Sequence, residues 1–294
     1  PQYAWAGKFS EGLACVWKDG KRGYVDTAGK MVIQPRFHDA GRFSEGLAHV
    51  MIGGKYGYVD KKGKTVIQPQ FDFAAPFSDG LARVVKGKGW GSGGSYIDRT
   101  GKVVVRPEPA RQWTNYSDFR EGLAHVYGYK YSAYVDKTGK KVIERHDVPH
   151  AGGFSEGLAP VRVGAKWGFM DKTGKRVIKP RFAWVTRFSE GLAGVDCSDS
   201  RDSSTMGKKW GYIDRAGKVV IQPKYHQVFG FSEGLARVRV DDQWCFINTK
   251  GETVIELHDV DMVYAFSGPL ARVEVNGKWG YVDRTGKYVW KPTR

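Results

Sequence analysis

Cysteine is scarce in this chain of 294 residues, which contains only Cys15, Cys197 and Cys245. An odd number of scattered cysteines does not form a disulfide framework. No two of them form a Cys-x-x-Cys pair, and this argues against a zinc site. We therefore interpret the three cysteines as ordinary positions of the fold.

Long apolar runs, helical periodicity and catalytic motifs are also missing. No segment approaches the roughly 18 to 20 apolar residues of a membrane span, and no signal-peptide pattern follows Pro1. The chain contains no nucleophile elbow, phosphate-binding loop or dinucleotide fingerprint. The sequence therefore predicts a protein that is not an enzyme, with no catalytic residues, no metal and no cofactor.

Acidic residues are fewer than basic residues in this chain. The 47 lysines and arginines exceed the 31 aspartates and glutamates, which gives a formal net charge of +16. This excess is distributed along the chain and is not confined to a tail. A distributed positive field favours acidic partners, while an ordinary solvated surface is the alternative interpretation.

One short phrase, Phe-x-Glu/Asp-Gly-Leu-Ala, is abundant. Seven copies and a degraded eighth begin at Phe9, Phe43, Phe77, Phe119, Phe154, Phe188, Phe231 and Phe266. The steps between them are 34, 34, 42, 35, 34, 43 and 35 residues, a spacing typical of repeat proteins. Units of this size bury a core only by stacking on their neighbours. We therefore expect one domain over residues 1–294.

Each repeat has the pattern of strands joined by tight turns. Residues after Leu235 alternate as in a strand, and an aromatic position such as Tyr24 recurs in the next strand of every unit, which predicts a stacked core row. Asp26 and Gly29 represent a recurring Asp-x-x-Gly phrase, typical of a type I turn rather than a calcium site. A Val-Ile pair follows, and proline ends this third strand in six units. Each unit is therefore predicted to be a three-stranded antiparallel meander in an all-β protein.

The second strand carries a family resemblance. Trp167-Gly168, Trp210-Gly211 and Trp279-Gly280 are followed by Tyr or Phe, any residue and Asp. With the Phe-Ser-Glu-Gly-Leu-Ala phrase in fixed order, the chain resembles the bacterial WG-repeat, or KWG-repeat, proteins from Phe9 to Pro292. The resemblance implies a binding or scaffold module and no particular enzyme activity. Several units lack the tryptophan, which favours a packing role for it.

Two features concern the organisation of the repeats. Inserts lie near residues 86–94 and 197–208, and the Val142–Val148 segment matches the Val254–Val260 segment 112 residues later. A period of three units indicates either a duplicated block or one turn of a superhelix. The ends of the chain resemble complementary parts of one unit, as in a ring. We predict an open, twisted solenoid-like array, with a closed eight-bladed propeller-like ring as the alternative.

The candidate binding residues stand between Ala and Val in the first strand of each unit, which we call the ladder position. Five of its eight occupants are basic or imidazole side chains: His49, Arg83, His125, Arg237 and Arg272; the others are Cys15, Pro160 and Gly194. Stacking of the repeats predicts that these side chains share one face. His146-Asp147 and His258-Asp259 resemble base–carboxylate pairs, but neighbours on a strand point to opposite faces, which favours a structural role.

Two functions remain open at the level of sequence. The first is a non-enzymatic scaffold for a protein or peptide partner, with a basic face suited to an acidic partner. The second is a module for an anionic polymer such as nucleic acid or acidic polysaccharide. Arginines interleaved with exposed aromatic rings suit such a polymer, and steep salt dependence separates it from the first.

Overall fold

The computed structural model of this chain describes residues 3, 5–87, 94–106, 113–128, 131–145, 150–198 and 209–291. Every regular element in these ranges is a β-strand. No helix there has the length and apolarity needed to cross a membrane. The chain forms two compact units, Pro1–Pro149 and His150–Arg294. The predicted single domain over 1–294 stays a prediction.

The first unit contains four sheets, which we call blades 1 to 4. Each has four antiparallel strands, and in each the strands lie side by side in chain order. The strands are β1 (Trp5–Ala6), β2 (Leu13–Lys18), β3 (Lys21–Asp26) and β4 (Met31–Phe37) in blade 1; β5 (Asp39–Ala40), β6 (Leu47–Ile52), β7 (Lys55–Asp60) and β8 (Thr65–Phe71) in blade 2; β9 (Phe73–Ala74), β10 (Ala82–Val85), β11 (Ser95–Ile97) and β12 (Val103–Val105) in blade 3; and β13 (Trp113–Tyr116), β14 (Leu123–Gly128), β15 (Tyr131–Asp136) and β16 (Lys141–Arg145) in blade 4.

The second unit contains blades 5 to 8, with the same strand order. The strands are β17 (His150–Ala151), β18 (Leu158–Val163), β19 (Lys166–Asp171) and β20 (Arg176–Phe182) in blade 5; β21 (Trp184–Val185), β22 (Ala193–Asp196), β23 (Trp210–Ile213) and β24 (Val219–Tyr225) in blade 6; β25 (Gln227–Val228), β26 (Leu235–Val240), β27 (Gln243–Asn248) and β28 (Thr253–Leu257) in blade 7; and β29 (Met262–Val263), β30 (Leu270–Val275), β31 (Lys278–Asp283) and β32 (Tyr288–Trp290) in blade 8.

The all-β prediction is confirmed, but the predicted architecture is wrong. The repeats are four-stranded, because a two-residue strand such as Asp39–Ala40 follows one residue after the fourth strand of the preceding blade. In sequence this short strand resembles the tail of the previous repeat. Four-stranded antiparallel sheets in series, eight in the described chain, are the blades of a β-propeller. This overturns the open, solenoid-like array of three-stranded units and supports the alternative, the eight-bladed propeller.

Within each unit the repeated phrase links neighbouring blades. Ser10 and Leu13 exchange backbone hydrogen bonds around Glu11 and Gly12, whose φ angles are 51° and 84°. The Ser10 hydroxyl donates to the carbonyl oxygen of Phe43 in blade 2 at 2.7 Å. The Glu11 carboxylate accepts the backbone N–H of Gly46, the equivalent glycine in blade 2, at 3.0 Å. Equivalent carboxylate bonds come from Glu45, Asp79, Glu156, Glu190 and Glu233.

The core lies between the blades and is built on the predicted aromatic row. The Tyr24 ring packs against Phe43 of the following blade, with centroids 4.8 Å apart, and its hydroxyl donates to the Gly41 carbonyl oxygen at 2.6 Å. The same ring pair recurs in Tyr58/Phe77, Tyr96/Phe119, Phe169/Phe188, Tyr212/Phe231 and Phe246/Phe266. The prediction of a buried aromatic row is therefore confirmed.

The Asp-x-x-Gly turns also have the predicted form. The Asp26 carboxylate accepts the backbone N–H groups of Ala28 and Lys30 at 3.0 and 2.9 Å. Gly29 donates its N–H to the Asp26 carbonyl oxygen and has a φ of 80°. These contacts occupy the aspartate with backbone amides, which accounts for its place in the turn without a cation.

The register between the third and fourth strands differs between two classes of blade. In blade 1 a Cβ atom on Gly23 would lie 2.5 Å from the Ile33 carbonyl oxygen and 2.8 Å from the Pro35 nitrogen, because the fourth strand bulges toward it. In blade 7, where the outer strand has no proline, Cys245 replaces the glycine and faces Glu256 directly. The glycine at the second position of the Trp-Gly pair and the proline of the outer strand therefore belong together. The proline-containing strand bulges, and the bulge leaves room only for glycine opposite it.

Candidate functional site

Ladder residues occupy one register in every blade. The backbone carbonyl oxygen of each accepts the N–H of the residue two positions before the phenylalanine of its own repeat. The pairs are Gly7/Cys15, Gly41/His49, Ala75/Arg83, Ser117/His125, Gly152/Pro160, Thr186/Gly194, Phe229/Arg237 and Tyr264/Arg272. The residue facing the ladder side chain therefore ranges from glycine to tyrosine, and this decides what surrounds each candidate.

The two candidate histidines differ in burial: His125 is buried and His49 is half-buried. His125 is 1% exposed, its Nε2 lies 2.6 Å from the Ser132 hydroxyl, and its ring stacks on Tyr127 and Tyr134. Burial lowers the pKa of His125 to about 4. His49 packs over Gly41, where a Cβ atom would lie 2.0 Å from the imidazole, and burial lowers its pKa as well. Both are therefore neutral at pH 7 and add no positive charge.

Arg83 lies beside a carboxylate. Its Nε is 3.5 Å from an Asp118 oxygen, and its guanidinium lies 4.7 Å from the centroid of the Phe73 ring. Its side chain is 26% exposed. The adjacent carboxylate offsets much of the charge that Arg83 would present to an anion.

Arg237 and Arg272 have a different environment, within blades 7 and 8. The Arg237 guanidinium lies 3.6 Å from the centroid of the Phe229 ring and 5.4 Å from that of Tyr264. Its Nη1 donates to the carbonyl oxygen of Val263. Its Nε is buried and has no hydrogen-bond partner among the described residues. Burial lowers the pKa of Arg237, but an arginine stays charged at pH 7.

Arg272 continues the same stack. Its guanidinium lies 4.2 Å from the centroid of the Tyr264 ring and 4.3 Å from that of Trp279. Trp279 is 36% exposed, and its ring packs on Tyr264 at 5.8 Å. The order of groups is Phe229, Arg237, Tyr264, Arg272 and Trp279, which we call the arginine–aromatic stack. It brings two predicted residues together and extends from a half-buried phenylalanine to an exposed tryptophan.

The aromatic members of the stack were missed at the level of sequence. Phe229 and Tyr264 stand two residues before the phenylalanine of their repeats, where the other six repeats have glycine, alanine, serine or threonine. Only these two repeats combine an aromatic residue there with an arginine at the ladder position. That coincidence of two positions is the signal that could have identified the stack.

The remaining candidate chemistry has no structural support in the described ranges. No group of three or more His, Cys, Asp or Glu side chains that could hold a metal ion occurs there. Burial raises the pKa of the Cys15 thiol to about 11 and also raises that of Cys245. His258 is exposed, whereas His146-Asp147 and most of both inserts lie outside the described residues.

Comparisons with solved structures show the fold. A structure titled "Crystal structure of the eukaryotic initiation factor" matches 99% of this chain and 89% of its own, with 10% identity and a TM-score of 0.65. The dihydro-heme d1 dehydrogenase NirN, in complex with DHE, matches 96% of this chain and 73% of its own, with 12% identity and a TM-score of 0.57. A search of curated protein sequences gives no match.

The family comparison agrees with the repeat phrases. The model of the WG-containing repeat matches residues 1–21, 23–56, 56–90, 133–167, 167–197, 210–244 and 246–279. These segments cover most of the chain and include the Trp-Gly strands of blades 5 and 6. The chain therefore belongs to the WG-repeat family.

Proposed function

We propose that this protein is a non-enzymatic interaction scaffold that binds an acidic protein partner at the arginine–aromatic stack. The observation that carries the proposal is the alternation of Arg237 and Arg272 with three aromatic rings, one of them exposed. Arginine, tyrosine and tryptophan are the side chains that dominate binding energy at protein interfaces. Stacking holds each guanidinium in a fixed plane, which reduces the entropy lost when a carboxylate binds.

The charge of the whole chain supports an acidic partner. A net charge of +16 steers an anionic surface toward the protein before any close contact forms. Arg83 lies beside both the Phe73 ring and the Asp118 carboxylate, whereas Arg237 contacts two rings and a backbone carbonyl oxygen. Arg237 in blade 7 is therefore a less neutralised cation than Arg83 in blade 3.

A second candidate is an anionic polymer such as single-stranded nucleic acid or acidic polysaccharide. The feature that favours it is the interleaving of guanidinium groups with aromatic rings, on which bases stack in single-strand binding proteins. The two candidates differ in salt dependence. Binding of nucleic acid weakens steeply with salt in proportion to the phosphates contacted, whereas a compact protein interface depends less on salt.

The test is an affinity capture from the native source with the wild-type protein and with Arg272→Ser, a substitution at the outer half of the stack. The control is the double variant Lys218→Ser/Lys287→Ser, which removes two exposed charges outside the stack. We expect the acidic partner to be lost from Arg272→Ser and retained by the control. Equal loss from both variants would mean that only net charge matters, and retention by Arg272→Ser would overturn the proposal.

A further inference from the structure

A second surface lies at the outer edge of blade 7. Strand β28 ends its sheet, so one side of its backbone has no partner strand within that sheet. Edge strands of this kind are open to pairing with another chain unless proline, a bulge or charge protects them. The outer strands of four other blades show how this protein protects an edge.

Four outer strands contain a proline within the strand: Pro35, Pro69, Pro180 and Pro223. In each of them the register with the neighbouring strand shifts at two places. The proline removes a donor, and the bulge twists the edge away from a straight partner. Strand β28 reads Thr253-Val-Ile-Glu-Leu257, has no proline and shifts register once. It is therefore a straighter and less protected edge.

The charge near β28 opposes that of the whole chain. Between residues 252 and 261 the sequence has Glu252, Glu256, Asp259 and Asp261, with no lysine or arginine. Glu256 and Asp259 are exposed, and Val254 is 51% exposed. Strand β16 in blade 4 also lacks a proline, but it differs because Lys141 lies 3.6 Å from Glu144. Thr253 occupies the position of that lysine in β28.

We propose that β28 adds an extended, basic peptide strand of a protein partner to blade 7. Backbone hydrogen bonds to the open edge would supply sequence-independent affinity, and Glu256 with Asp259 would select lysine or arginine side chains on the added strand. Val254 provides an apolar contact for a residue on the same side. The acidic side chains repel a second acidic strand, so the edge discriminates by charge.

The probe is a fluorescent peptide of about eight residues that alternates lysine and valine, the length of a typical strand. Anisotropy at low salt measures its binding to wild-type protein, to Glu256→Lys and to the matched control Gln222→Lys. Gln222 stands beside Pro223 in the protected edge of blade 6. We expect Glu256→Lys to weaken binding by about fivefold or more, since one side chain changes from attracting the peptide to repelling it, and Gln222→Lys to have a much smaller effect.

Hydrogen exchange locates the contact. Binding at the edge slows exchange of amides in Thr253–Leu257, and a peptide with N-methyl groups on its hydrogen-bonding edge loses affinity. Binding without protection of β28, or equal binding of the N-methylated peptide, would overturn the proposal. So would self-association that Glu256→Lys abolishes, because the occupant would then be a second copy of this chain. Circular dichroism confirms that each variant is folded, and none of these residues belongs to the arginine–aromatic stack.

Discussion

A Cβ atom on Gly168 would lie 2.3 Å from the carbonyl oxygen of Ile178. Gly168 belongs to the Trp-Gly pair of blade 5, and Ile178 lies two residues before the proline of the outer strand. The close approach explains why the family phrase needs glycine there. The backbone of the bulged strand occupies the space that a side chain would need.

Replacing this glycine tests the relationship. We expect Gly168→Ala to destabilise the protein by about 1–3 kcal/mol, because backbone atoms on both strands must shift. The matched control is Cys245→Ala in blade 7, where the outer strand pairs in register and already accommodates a side chain. Urea unfolding measures both. Equal stability of Gly168→Ala and wild type would show that the bulge adapts without cost.

The turn glycine tests backbone conformation without a steric clash. Gly29 has a φ of 80°, and an added Cβ atom would meet no atom within 4 Å. We therefore expect Gly29→Ala to cost about 1–2 kcal/mol through left-handed backbone strain alone. Gly29→Asn should cost less, because asparagine tolerates this conformation better. Thermal unfolding compares the two, and an equal loss would contradict this explanation.

The tyrosine hydroxyls of the core tie neighbouring blades together. Tyr58 donates to the carbonyl oxygen of Ala75 at 2.7 Å and is fully buried. Tyr58→Phe leaves that oxygen without its donor, and we expect a loss of about 1–2 kcal/mol of unfolding free energy. The exposed Tyr288 provides the control, since Tyr288→Phe should change stability little. If both variants lose the same unfolding free energy, the hydrogen bond of the Tyr58 hydroxyl is not the cause.

His125 makes the stability of the protein depend on pH. Burial lowers its pKa to about 4, while an unfolded histidine titrates near its ordinary value of about 6.5. The unfolded chain therefore binds a proton first as pH falls, so the contribution to stability is complete above about pH 6.5 and is lost progressively toward pH 4. The loss is on the order of 3 kcal/mol if the imidazole stays buried and neutral.

A variant isolates this contribution. His125→Gln cannot take up the proton, so the difference in unfolding free energy between pH 7 and pH 4.5 should be smaller than in wild type. Carboxylates contribute to that difference in both proteins and therefore cancel. The exposed His258→Gln should retain the wild-type dependence. If His125→Gln retains it too, the histidine is accessible to protons in the folded state.

Much of the local structure could be read from the sequence. The period of the Phe43 and Phe77 phrases, the aromatic row of Tyr24 and the turn at Asp26 each depend on residues close together in the chain. Alternation, turn chemistry and repeat spacing are local properties, so one sequence is enough to identify them. The WG-repeat family followed from the same phrases.

Tertiary structure decided the architecture and the surroundings of the candidate residues. The two-residue strand Asp39–Ala40 becomes visible only when it pairs with Val50 and Met51, since so short a strand has no period of its own. Likewise, five similar ladder positions became a buried histidine, a half-buried histidine, an arginine beside a carboxylate, and two arginines stacked on aromatic rings. Sequence determined which side chains recur, because that is a matter of order along the chain. Burial and partners depend on residues brought together from adjacent strands and blades, and only the packed fold determines those.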